Sequence, residues 1–226
     1  MVVLRKMNMC KFTVFALAAG LVGFLRGECL LVSGTNVEVV GDSLAPRTTQ
    51  LAAREMTNYL SRVFARAVPL AKVPTEGVTS LVLGSNMWSK VAGVLPVPSE
   101  RDSFSYRIAG ENVYLLGRDD ASKFAMDAYS CGIIQDISQH EMGTLFAVYW
   151  FLEEFAGCRF YFPGEYGTVV PRKDVLQVPI GCGVKKPDFV VRSVYMTGDG
   201  GWPDGAGKST PSRVKTEQWM RLRLQT

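Results

Sequence analysis

The stretch Gly143–Pro171, GTLFAVYWFLEEFAGCRFYFPGEYGTVVP, joins an apolar helix to an aromatic strand and a Gly/Pro-rich exit. Leu145, Val148, Tyr149, Leu152 and Phe155 recur at the three-to-four spacing of one helical face. Phe146, Ala147, Trp150 and Phe151 fill most of the remaining directions, and only Glu153 and Glu154 call for water. A helix that is apolar nearly all round is buried on more than one side. This one therefore requires a sheet beneath it and a second surface above it.

Outward from this helix, the chain supplies the sheet. Asn36–Val40 reads as a short strand, and a helix follows from Pro46 to about Phe64, with Asp42 and Ser43 as candidate caps. Ala52, Met56, Tyr59, Leu60 and Val63 form its inner face, with Arg47, Arg54, Arg62 and Arg66 opposite. Ser80–Leu83, ending at Gly84, reads as a buried central strand. Ser103–Ala109 alternates Phe104, Tyr106 and Ile108 with Ser103, Ser105 and Arg107, the period of a half-buried strand. Gly110–Asn112 turns it into Val113–Leu116 as a hairpin. Arg118–Glu141 reads as a loop with a single helical turn, and Arg159–Phe162 and Val175–Val178 are further strands. The fold class is α/β (α+β), a mixed β-sheet with helices packed mainly on one face.

A chain of 226 residues, 47% of them hydrophobic, has ample material for a core, so disorder is excluded. The formal charge of +4 is spread along the sequence, and the arginines of the first helix lack the interleaved aromatics of a nucleic-acid surface. Arg5, Lys6 and Lys11 followed by the apolar run Phe12–Leu25 read as a signal peptide over residues 1–28, giving a secreted or periplasmic protein; an uncleaved membrane anchor is the alternative. Removing Cys10 with that segment leaves Cys29, Cys131, Cys158 and Cys182, which permit three pairings or free buried thiols. With His140 as the single histidine and no C-x-x-C pair, no metal site is expected.

The candidates for chemistry yield to simpler readings. Glu153 and Glu154 are adjacent on a helix and point about 100° apart, so they cannot flank one glycosidic bond as an acid pair. His140 lies in a polar stretch without a G-x-S-x-G nucleophile. Tyr149, Trp150, Phe160, Tyr161 and Phe162 offer a sugar-stacking platform or, more simply, a core. Gly198–Thr210 ends in Gly207-Lys208-Ser209 like a phosphate loop, but Trp202 stands where the first glycine must be, so no nucleotide is expected.

One order of motifs carries a family resemblance: Asn58-Tyr59-Leu60 closing a helix, Leu83-Gly84, Asp102-Ser103-Phe104, Val113–Gly117, Gly143–Tyr149 with Phe151-Leu152-Glu153, then Gly157-Cys158-Arg159 and Pro163. It resembles the α/β domain that precedes the catalytic barrel in α-glucuronidases and β-N-acetylhexosaminidases, over roughly residues 36–192. It departs from them after the first helix, where Phe64-Ala65-Arg66 replaces an expected glycine. The resemblance implies a domain at 29–186, then a truncated start of a (β/α)8 barrel at 187–226, because such a barrel takes about 250 residues. It implies no catalytic residue and no cofactor in this chain, a polysaccharide or oligosaccharide partner, and a C-terminal barrel in cis. Asp188–Val194 is similar to the first barrel strand, and Arg192 matches a sugar-binding arginine there; an interdomain ion pair is the plainer role. Thr216–Leu224 begins a further helical pattern. By the same resemblance the second face of the Gly143 helix, Phe146 and Trp150, leans on a barrel and is open without one.

Overall fold

The computed structural model describes residues 28–120, 141–161 and 165–188. The signal segment, Cys131, His140, Phe162, Pro163, Arg192, the Gly198–Thr210 loop and the Thr216–Leu224 pattern lie outside the described residues.

The main sheet is built from β2 (Val37–Val40), β3 (Leu70–Ala71), β4 (Thr79–Leu83), β5 (Phe104–Ala109), β6 (Asn112–Gly117) and β10 (Gly181–Lys185), in the order β10-β5-β6-β4-β2-β3. β6, β4, β2 and β3 run parallel, while β5 and β10 add antiparallel strands beyond β6. Every residue of β2 and β4 is buried, as expected of central parallel strands covered on both faces. Gly110, with φ +60°, makes the tight turn between β5 and β6. A separate antiparallel ribbon pairs β1 (Cys29–Ser33) with β9 (Val175–Pro179), and β7 (Arg159–Phe160) pairs with β8 (Thr168–Val169).

Two helices cover one face of the sheet. α1 (Arg47–Val63) turns Ala52, Met56, Tyr59, Leu60 and Val63 into the core and leaves its arginines outside. Neither Asp42 nor Ser43 caps it: Pro46 holds the N-cap position, and Asp42 instead accepts a hydrogen bond from the Leu44 amide at 2.8 Å in a local turn. Its far end is a Schellman close, in which the Arg66 amide reaches the Ser61 carbonyl and the Ala65 amide that of Arg62. That geometry forces Ala65 to φ +52°, the left-handed region that glycine occupies without strain.

α3 (Gly143–Phe151) continues without a break as a π-helical turn, Leu152–Ala156, which Gly157 ends in left-handed conformation. Its all-round apolarity is explained by what surrounds it. The sheet lies on one side, against β5 and β6, and α1 lies alongside, while the β9 strand of the ribbon packs on the π turn. Leu30, Val32, Leu176 and Val178 of the ribbon join the same core as Leu145, Phe151 and Leu152. The second surface therefore comes from strands on either side of α3 in the sequence. This corrects the expectation of an open second face. Phe146 is buried, and Trp150 is half-buried between Tyr106, 4.6 Å away, Phe155 at 5.4 Å and the Lys185 ammonium at 5.4 Å.

The other face of the sheet is covered by α2 (Met87–Val91) and the loop beyond it. That changes the reading of β5 as half-buried. Ser103 and Ser105 are fully enclosed because their hydroxyls donate to the carbonyls of Pro98 (2.8 Å) and Pro96 (3.1 Å). Among the described residues, α2, β1, β3, β8 and β10 are elements the sequence reading does not contain.

Replacing Ala65 with glycine removes the cost of a left-handed alanine, which outweighs the added freedom of the unfolded chain. We expect Ala65→Gly to raise the unfolding free energy by about 1 kcal/mol in chemical denaturation, and Ala65→Val to lower it.

Candidate functional site

At the carboxyl ends of β4 and β6 the chain is drawn together by small residues. A Cβ on Gly117 would lie 2.5 Å from the Cα of Gly143, and one on Gly143 would lie 2.5 Å from the Arg118 nitrogen. The two glycines thus let the end of β6 touch the start of α3, backbone on backbone. Asp119 locks that joint. Its carboxylate accepts from the Thr144 amide at 3.0 Å, from the Thr144 hydroxyl, and from the Thr49 hydroxyl of α1 at 2.9 Å. Thr49 in turn fills the space over Gly84, where a Cβ would meet its methyl at 2.7 Å. Burial drives the Asp119 carboxyl up to about 6, against the hydrogen bonds from Thr144 and Thr49, which favour the charged form.

The other enclosed carboxylates are also engaged internally. Glu38 accepts from the Thr75 amide (2.6 Å), the Thr75 hydroxyl (2.8 Å) and the Ser80 hydroxyl (2.7 Å). Glu55 accepts from the Tyr149 hydroxyl at 2.5 Å, tying α1 to α3, and Asp102 accepts from the Met142 amide at 2.9 Å. Asp102 also lies near enough to Asp119 for its charge to add to the rise of that carboxyl. These carboxylates hold the fold together.

The residues singled out in the sequence fall into place accordingly. Glu153 and Glu154 sit on the π turn at the surface and do not converge on a shared site. Tyr149 and Phe160 are core residues, their rings in edge contact at 5.3 Å, so they are not a sugar platform. Tyr161 alone of the described aromatics in that group is largely open, at 65% exposure. Cys182 is disulfide-bonded. Cys158 is a buried thiol pushed up to about 11, chiefly by burial. No cluster of metal-binding side chains occurs among the described residues.

A cavity of about 400 Å³ opens at the carboxyl ends of β2 and β3. Its floor is made of small residues, Gly41, Ala53 and Ala71, and its rim carries Arg47, Arg54 and Lys72. A Cβ on Gly41 would stand 3.0 Å from that of Ala53, so the glycine is what lets the strand end pass α1 closely. Gln50 braces the loop above by donating to the carbonyls of Ser43 (3.0 Å) and Ala45 (2.8 Å). In open α/β sheets ligands bind outside the carboxyl ends of parallel strands. The site has charge and volume for binding. The sequence reading placed Arg47 and Arg54 on a solvated helix face; the parallel pairing that brings Lys72 beside them is long-range.

No family model matches the chain, and no curated protein matches it. Solved structures similar to it include a family GH115 4-O-methyl-α-glucuronidase with specificity for decorated arabinogalactans, at 7% identity and a TM-score of 0.44 over 70% of this chain and 18% of the other. A GH20 β-N-acetylhexosaminidase from Streptomyces coelicolor A3(2) matches at 14% identity and a TM-score of 0.41, over 72% of this chain and 24% of the other. A Streptomyces plicatus β-hexosaminidase matches at 10% identity and a TM-score of 0.34, over 69% and 23%. The chain thus spans less than a quarter of each of these proteins.

Asp119 gives the joint a pH signature. Its folded-state value lies above the 3.8 of a free aspartate, so folding takes up a proton between the two. The contribution is complete below about pH 4 and is lost as pH rises through about 6. In paired denaturation series, we expect the wild-type chain to gain about 1 kcal/mol relative to Asp119→Asn on going from about pH 7 to about pH 5.

Proposed function

We propose that this chain is the accessory, non-catalytic α/β domain of a secreted carbohydrate-active enzyme, working beside a catalytic barrel joined in cis. In this reading residues 1–28 direct export, residues 29–186 form the domain, and residues 187–226 lead into the barrel, with Arg192 on its first strand toward the sugar. The partner is a polysaccharide or oligosaccharide.

One observation carries the proposal. The residues through which the sequence resembles the α-glucuronidase and hexosaminidase domain are spent on construction. Gly117, Gly143 and Thr144 make the joint between sheet and helix, Gly157 ends the π turn, and Tyr149 ties α3 to α1. Among the described residues, the buried carboxyl groups of Glu38, Glu55, Asp102 and Asp119 are all hydrogen-bonded inside the fold rather than left free as the acid pair glycoside hydrolysis needs. The sequence motif therefore supports an accessory role for the domain and a catalytic site elsewhere. A stand-alone carbohydrate-binding module is the second reading, and the cavity above β2 and β3 favours it.

The purified chain is expected to show no turnover of aryl-glycosides while retaining saturable binding to oligosaccharides in calorimetric titration. Turnover that a Glu→Gln or Asp→Asn change within residues 29–186 abolishes would overturn the proposal.

A further inference from the structure

We propose that the cavity at the carboxyl ends of β2 and β3 is a binding site for a sugar-sized ligand bearing a tetrahedral oxyanion ester, a sulfate or a phosphate. The sugar body rests on the carbohydrate reading above; the anionic group rests on the cavity alone.

Three cationic side chains from two separate elements border the cavity, Arg47 and Arg54 of α1 and Lys72 just beyond β3. Among the described residues, no ion pair engages any of the three. A single carboxylate, Asp42, borders the same space, and one of its oxygens accepts from the Leu44 amide within its own turn. The rim is thus left with an excess of positive charge. The start of α1 adds to it, because the first turn holds no acidic residue and no side chain caps its amides.

Cations placed around a cavity suit one kind of anion better than another. A planar carboxylate is satisfied by the fork of a single arginine. A sulfate or phosphate ester presents three terminal oxygens in different directions and can engage two guanidinium groups and an ammonium together. A cavity of about 400 Å³ lies within the usual range for small-ligand sites and is larger than a bare ion requires, so a body attached to the ester has room beside it. The small floor residues Gly41, Ala53 and Ala71 keep that room open.

The test is calorimetric titration of the full chain with galactose 6-sulfate, galactose 6-phosphate, galactose and sodium sulfate. We expect saturable binding of at least one ester, undetectable binding of galactose, and weaker binding of sodium sulfate. Arg54→Ala and Lys72→Ala are each expected to weaken the ester about tenfold, the loss of one charge-assisted hydrogen bond. Arg66→Ala, which removes the same charge from the exposed end beyond α1, is expected to change nothing and keeps net charge from explaining the result. Preference between the two esters assigns the anion. Sodium sulfate binding as tightly as either ester, or no ester binding at all, would overturn the site. Galactose binding as well as its esters, unaffected by Arg54→Ala, would also overturn it, while leaving the carbohydrate reading standing.

Discussion

The backbones of Gly117 and Gly143 meet with no room for a side chain between them, and the rest of the domain is positioned by that contact. It fixes where α3 leaves the sheet, and so which strands the helix crosses. Asp119 then fastens the joint with bonds to Thr144 on α3 and Thr49 on α1, so one carboxylate sets both helices relative to β6. From there an apolar helix without a polar side must be enclosed. The sheet, α1 and the β1–β9 ribbon enclose it. The ribbon joins segments far apart in the sequence, Cys29–Ser33 with Val175–Pro179, and brings both into the core.

Charge is distributed in a way that separates construction from recognition. The buried acids point inward and are consumed by hydroxyls and amides, an arrangement that offsets the cost of their burial. Arg47 and Arg54 of α1 point outward at the mouth of a cavity, with no ion pair to either among the described residues.

Much of this was legible from local pattern. The inner face of α1, the buried β4, the β5–β6 hairpin and the helix at Gly143 follow from periodicities of 3.6 and 2, and the core residues named from them are buried except Tyr106 and Phe155, which are partly so. What escaped was set by contacts distant in sequence. Leu70–Ala71 is too short to announce itself and becomes a strand only because Val39 and Val40 pair with it. β10 contains two glycines and a cysteine among five residues, and its register against β5 is what defines it; Gly183 is there because a side chain would strike the Tyr106 ring. The stacking of Trp150 was equally invisible, since Tyr106 and Lys185 approach it from β5 and β10. The departure at Ala65 was the reverse case, a local irregularity in the sequence that the backbone reproduces as a strained left-handed residue.

The central claim is that the Gly143 helix is covered by the chain's own sheet, helix and ribbon, with Trp150 alone of its residues half-buried. Native-state hydrogen exchange of the full chain reads this residue by residue. The account predicts that the amides of Phe146–Leu152 exchange only through global unfolding and are among the slowest in the protein, together with those of β4. Exchange of Phe146–Leu152 at rates typical of an exposed helix, well before β4, would mean that this face stands open and would contradict the account.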